Sequence, residues 1–197
     1  MNKGKITRER ILGKAAALFN SRGYYGASMS DLMQATGMEK GGIYNHFESK
    51  ELLALQAFDH AVQTNFEIIM SRVDATEGAV NKLIELTDAF VFCVENSPIT
   101  GGCPLLNSAV ESDDAHPVLR ERVKAAMAEL QEYVARLVAD AVASGEMRLD
   151  MPPSDFALIV ISTLEGGGMV SRLYGDHAQL ELICKHVKSL VQSHSKV

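Results

Sequence analysis

The sequence predicts an all-α protein of about nine helices, a three-helix N-terminal head followed by a larger helical body. Three observations carry that expectation. Apolar residues recur at helical spacing along most of the chain. No alternating stretch competes as a strand, and the breaks fall on glycine, proline and capping residues. The composition, 47% hydrophobic and 22% charged over 197 residues, suits a globular protein of one or two domains with a sizeable core.

Residues 1–6 are polar and are expected to stay outside the first helix, with Lys3 and Lys5 available as a minor-groove arm or as a plain tail. Thr7 is the expected N-cap of helix one. Ile11, Leu12, Ala15, Leu18 and Phe19 form its apolar stripe, and Gly23 ends it. Ser28 and Asp31 have the spacing of a capping pair for helix two, with Leu32, Met33 and Ala35 as its apolar face. Gly37 can take positive φ without Cβ strain and so redirect the chain. Helix three is expected over about residues 39–46. Ile43 and Phe47, four apart, share its inward face, while Lys40, Gly41, Tyr44 and Asn45 lie outside it. Two short helices around a glycine turn form a helix-turn-helix, whose second helix enters the DNA major groove.

Gly41 and Gly42 bear on that reading. Each costs about 1 kcal/mol against alanine inside a helix. Either backbone must approach something closely there, DNA being one candidate, or the glycines are loop and the helix begins at Ile43.

Ser49 is expected to cap helix four, which runs to about Arg72 and joins head to body. Helix five follows from about Thr76 to Asn96, and helix six from Pro104 to Ser112. A break at Asp113-Asp114-Ala115-His116-Pro117 leads into helix seven, stopped by Gly145. Ser154 is the expected cap of helix eight, which ends near Tyr174, and helix nine spans about Gln179 to Ser193. The expected domains are 1–50 and 51–197.

A net charge of −6 by itself argues against nucleic acid, but the charge is unevenly distributed. Residues 1–50 carry eight Lys/Arg against four Asp/Glu, a balance of +4. Residues 51–197 carry eleven against twenty-one, a balance of −10. A basic head on an acidic body confines phosphate contacts to one end. Three cysteines, Cys93, Cys103 and Cys184, without a Cys-x-x-Cys spacing, suit reduced thiols in the cytoplasm. The longest apolar run, residues 156–161, is far below the roughly 18 residues of a membrane span, so no membrane partner is expected.

Residues from about Ile6 to Leu55 resemble the DNA-binding domain of the tetracycline-repressor (TetR) family. The resemblance rests on Arg10-Ile11-Leu12, the run Ala15 to Phe19, Arg22-Gly23-Tyr24, the run Gly41 to Phe47, and the run Ser49 to Leu53. The rest matches in length and helical character. The resemblance implies that Tyr44, His46 and Lys50 hold phosphates and that Lys40, Gly41, Gly42 and Asn45 face base edges. Ser28, with Thr7 and Arg8, is a further phosphate candidate. Lys40 suits guanine and Asn45 adenine. For Tyr44 and His46, packing within the domain is the competing reading. Met29 and Met38 depart from the family's commoner residues, which leaves the sequence preference undefined.

In the body, Gly101-Gly102-Cys103 resembles a subset of the family with Gly-Cys at the start of helix six. A thiol at a helix N-terminus can be activated, so two readings stand: a sensor thiol, or a small residue filling a tight turn. At Gly166-Gly167-Gly168 either the helix is broken or missing side chains are needed, for close helix packing at the dimer interface that the family builds from helices eight and nine, or for space in a cavity lined by Glu165 and Met169. Phe66, Met70, Phe90, Cys103, Asn107, Tyr133, Glu165 and Met169 are the candidate ligand contacts, with ordinary core as the default for the apolar ones. Met127 and Arg172 are further candidates of the same kind.

No catalytic residue, cofactor or metal site is expected. Cys103, His116 and Asp113 or Asp114 imitate a hydrolase trio without a motif for an oxyanion site, and the histidines show no i, i+4 pair. The function expected is that of a homodimeric, sequence-specific transcriptional regulator, most simply a repressor. It would leave a near-palindromic operator when a small-molecule effector binds or a thiol is modified. The alternative is a helical small-molecule- or protein-binding module without operator function.

Overall fold

A computed structural model of the chain describes residues 3–112 and 116–196. The described residues form nine helices: α1 (Lys3–Arg22), α2 (Met29–Thr36), α3 (Lys40–Tyr44), α4 (Lys50–Asp74), α5 (Ala79–Asn96), α6 (Pro104–Ser112), α7 (Pro117–Ala143), α8 (Pro153–Tyr174) and α9 (Ala178–Ser193). The β-type pairing among them is one antiparallel bridge, Met147 to Ser195. The all-α expectation holds. The break between α6 and α7 falls at residues 113–115, outside the described residues.

The chain gathers into two compact units, Met1–Asn65 with Pro98–Lys124, and Phe66–Ser97 with Ala125–Val197. The division is therefore not at residue 50. The first part of α4 belongs with the head because Leu53, Ala54, Ala57 and Ala61 are buried in the head's core, and Ile99 from the segment before α6 joins them.

In the first unit that core also contains Ile11, Ala15, Phe19, Leu32, Ile43 and Phe47, the inward faces that the periodicity marks. Helix α1 begins at Lys3, four residues before the expected cap. Thr7 is thus inside the helix and Lys5, exposed on it, is not part of a free arm; the side chain of Lys3 lies outside the described residues. The capping pair forms as expected. The Ser28 hydroxyl accepts from the Asp31 N–H at 3.2 Å and the Asp31 carboxylate accepts from the Ser28 N–H at 2.8 Å. These bonds from Ser28, aided by Arg22, hold the Asp31 carboxyl below its usual range. Gly37 has φ 67° and closes α2 by donating its N–H to the Met33 carbonyl, a left-handed cap that disfavours a side chain. The Ser49 hydroxyl accepts from the Leu52 N–H at 3.0 Å, as expected at the start of α4.

The second unit packs α5, α8 and α9 around Leu83, Leu86, Val134, Phe156, Val160, Leu164, Leu180 and Val187. Helix α8 is N-capped by Pro152, not Ser154. Pro153 occupies the first turn, where its missing N–H costs nothing, and Ser154 bonds Asp155 instead. The short apolar run understates α8. Over its 22 residues it is long and apolar enough to cross a membrane by length and composition. One side, including Phe156, Val160, Leu164 and Gly167, is buried in the unit's core. The other side exposes Leu158, Ile159, Met169 and Leu173.

Candidate nucleic-acid interface

Helix α3 is only five residues long and has no side-chain cap. An isolated helix of that length is unstable in water, so burial must hold it. Ile43 is 1% exposed and Phe47 2% exposed. Arg8 of α1 braces the far end, its guanidinium 4.8 Å from the centre of the Phe47 ring while it donates to the Gln56 side chain. Arg8, a phosphate candidate by sequence, is thus engaged within the head. Its partners are thirty-nine and forty-eight positions away, beyond any local pattern.

With Ile43 and Phe47 turned inward, Lys40, Gly41, Tyr44 and Asn45 are exposed, and Gly42 and His46 are half-buried. Both glycines are inside α3, which removes the loop reading. A Cβ on Gly42 would come within 3.1 Å of the end of the flexible Met38 side chain, and one on Gly41 would meet nothing within 4 Å. The head itself therefore gives no steric reason for glycine at position 41. The Lys40 ammonium lies 5.9 Å from the centre of the Tyr44 ring. The Ser28 hydroxyl is committed to the capping box. Lys50 donates to the Tyr24 carbonyl at 2.9 Å and sits 4.5 Å from the centre of the Tyr24 ring.

The candidate ligand residues divide between the units. Phe66, Met70 and Tyr133 come together in one cleft of the second unit with Ile69, Leu130, Glu129 and Arg136, about 350 Å³ including its open mouth. The Tyr133 hydroxyl donates to Asp74 at 3.0 Å; burial and that carboxylate push its pKa well above the usual range. Phe90 packs on the core beside Gly168. Glu165 is half-buried and adds to the upward shift of the Cys93 thiol. Met169 is 52% exposed. Cys103 and Asn107 lie in the first unit, and the Asn107 amide is engaged there by Asn20 and Gly101. Two of the eight residues thus belong to the first unit and the other six to the second. His116 caps α7, its Nδ1 accepting from the Leu119 N–H at 3.2 Å; Asp113 and Asp114 lie outside the described residues. Among the described residues no group of three or more His, Cys, Asp or Glu is placed to hold a metal.

Comparison with known proteins agrees with this architecture. Residues 11–57 match the family profile of bacterial regulatory proteins of the tetR family, and residues 79–187 match the tetracyclin repressor-like C-terminal domain. A crystal structure of a TetR transcriptional regulator from Chloroflexus aurantiacus superposes with a TM-score of 0.93 at 44% identity, covering 99% of this chain and 98% of that one. An uncharacterised HTH-type transcriptional regulator of Mycobacterium tuberculosis is 27% identical over 188 residues, 93% of each chain. The HTH-type transcriptional repressor DhaR of a Mycobacterium species is 26% identical over 162 residues, 81% of this chain and 79% of DhaR. The chain belongs to the TetR family. It is a DNA-binding transcriptional regulator with a C-terminal effector-binding domain.

Proposed function

We propose that the protein is a homodimeric repressor that reads a near-palindromic operator through α3. The observation that carries this reading is Gly41, a helical glycine on an exposed face with no neighbour inside the head. Helical glycine is unfavourable by about 1 kcal/mol, and close approach of a base edge or phosphate to the backbone supplies the missing reason. In this reading Lys40, Gly41, Gly42 and Asn45 meet bases. Tyr44, His46, Lys50 and the N-terminus of α2 at Ser28 meet phosphates, which position the protein without specifying sequence. The name of DhaR, a repressor, supports repression.

The dimer forms through α8 and α9. Leu158, Ile159, Met169, Leu173 and Tyr174 of α8 and Leu182 of α9 are 43–78% exposed, and an apolar face of that extent suits a protein partner. A two-fold dimer requires half-sites about one DNA turn apart or a multiple of it. The effector occupies the cleft at Phe66, Met70 and Tyr133 in the second unit. Helix α4 runs through both units and carries the response. The effector favours the state that does not bind DNA. Modification of Cys103 is the second route to release, favoured because Cys93 and Cys184 are buried and Cys103 is half-exposed. The protein acts in the cytoplasm, with the DNA it reads.

Fluorescence anisotropy with duplex DNA tests the reading. Lys50→Ala and Tyr44→Phe weaken binding if it holds, and leave it unchanged if the protein is a binding module without operator function. Leu173→Glu shifts sedimentation from dimer to monomer.

A further inference from the structure

A carboxylate of α6 is built into the turn that leads into the helix-turn-helix. Glu111 accepts from the Tyr24 N–H and from the Tyr25 N–H, each at 3.0 Å. The cradle depends on Gly23. A Cβ there would lie 2.8 Å from Glu111 Oε1, and φ at Gly23 is 77°. Helix α6 is held against the end of α1 by a second set of bonds. The Asn107 amide donates to the Asn20 carbonyl, the Asn20 Oδ1 and the Gly101 carbonyl at 2.8–3.1 Å, and the Asn20 amide donates to Thr100 and Gly102. Glu111 is thus anchored by its own helix as well as by the two N–H groups it accepts from.

The peptide unit between Tyr24 and Tyr25 joins this cradle to the candidate phosphate contact. Its N–H donates to Glu111 Oε1, and its C=O accepts from the Lys50 ammonium at 2.9 Å. A peptide unit is planar and rigid, so fixing the N–H direction fixes the C=O direction. Hydrogen bonds at both ends of one amide also polarise each other. The Tyr24 ring, on which the ammonium rests, is itself wedged by His116, Tyr25 and Phe19 at centroid distances of 5.1, 5.1 and 6.1 Å. One of the three ammonium donors of Lys50 is used by the carbonyl, and the others can serve a phosphate oxygen.

We propose that Glu111 is a positioning residue for DNA binding: through the Tyr24–Tyr25 peptide it holds the Lys50 ammonium where a backbone phosphate is met. The proposal rests on Lys50 being a phosphate contact. Glu111 itself touches no DNA. It acts by pre-orienting the lysine, so the ordering of a long flexible side chain is complete before DNA arrives.

The test is a double-mutant cycle on the full-length protein. Binding is measured over a salt series, with a short duplex selected against the protein from a random-sequence library. Lys50→Ala is expected to weaken binding about tenfold and to reduce the steepness of the log–log salt dependence by about one per lysine. Glu111→Gln keeps the size of the side chain but presents an NH₂ to one of the two N–H groups. It is expected to weaken binding about three- to tenfold and to reduce the salt slope in the same direction. In the Lys50→Ala background Glu111→Gln is expected to add less than about twofold, the signature of two residues acting through one contact. Should Glu111→Gln not fold, Glu111→Asp, which withdraws the carboxylate by one methylene, is read in the same cycle. Two results overturn the proposal: binding within about twofold of the parent, or a loss equally large with and without Lys50. If Lys50→Ala alone leaves affinity and slope unchanged, the phosphate role of Lys50 is wrong and the proposal falls with it.

Discussion

Gly167 of α8 lies so close to Ile183 of α9 that a Cβ on the glycine would stand 2.9 Å from both Cβ and Cγ2 of the isoleucine. The contact settles one question about the triple glycine: the middle residue permits close packing of two helices within the second unit. Its neighbours differ. A Cβ on Gly168 would meet Phe90 at an ordinary 3.4 Å, and one on Gly166 would meet nothing within 4 Å.

Gly167→Ala therefore forces the α8–α9 pair apart. Overpacking of this kind costs about 1–3 kcal/mol, more than the roughly 1 kcal/mol that alanine returns as helix propensity. Thermal unfolding is expected to show a lower Tm for Gly167→Ala than for the parent, while Gly168→Ala, which meets only an ordinary contact and gains helix propensity, is expected at or above it. A parent-like or higher Tm for Gly167→Ala would show that the two helices are not held at this separation.

Gly41→Ala is expected to separate stability from function. Nothing within 4 Å resists the new methyl group, so the substitution raises stability by about 1 kcal/mol and Tm by about 2–4 °C for a chain of this size. In the proposed interface the same methyl group stands between α3 and DNA, and duplex affinity is expected to fall about tenfold or more. Unchanged affinity with raised Tm would mean that the glycine serves no contact.

Acid is expected to loosen the second unit partly through Glu146. Its carboxylate accepts from the Val80 and Ala79 N–H groups at 3.1 and 3.3 Å and from the Ser144 hydroxyl at 3.0 Å, which holds its pKa below the ordinary glutamate value. The sign follows from linkage: the unfolded chain takes up the proton first, so the contribution is complete above the unfolded pKa and is lost as pH falls through the lower folded value. Denaturant titrations across that range are expected to show a weaker pH dependence for Glu146→Gln. Asp31 of the first unit, shifted the same way, keeps part of the slope of whole-chain unfolding. Parallel profiles for parent and variant would show that Glu146 contributes nothing to the acid sensitivity.

The three thiols are expected to react unequally. Burial pushes Cys93 and Cys184 up to about 11, leaving little thiolate at neutral pH, whereas Cys103 is half-exposed. A sub-stoichiometric quinone or peroxide pulse followed by mass spectrometry should mark Cys103 first, and marked protein should release its DNA. Even labelling of all three, or none, would end the case for a sensor thiol.

Much of this architecture is legible in the sequence because it is local. Ser28 and Asp31 are three apart, Ile43 and Phe47 four apart, and Gly37 acts on its own backbone, so spacing alone conveys their roles. The start of α1 is harder to read because Thr7 is a good cap in isolation, yet the helix continues back to Lys3. Asn107 resembles a ligand contact because a polar residue on an apolar helix suggests one. Its partner Asn20 is eighty-seven positions away, and no periodicity reports such a pairing. The same distance hides Glu111, whose partners are Tyr24 and Tyr25. Lys50 is legible as a charge at the start of α4, but its seat on Tyr24 is not. The residues that one helix face presents are readable; the bonds that join distant segments into the first unit are not.

In the proposed function α3 reads a specific DNA sequence for a two-fold dimer. Selection from sheared DNA of the source genome tests it most directly. The full-length protein is held at about physiological salt, where non-specific phosphate binding is weak. The predicted result is enrichment of one near-palindrome whose half-sites are about one helical turn apart or a small multiple of it. A folded, dimeric protein that enriches no sequence would contradict the claim.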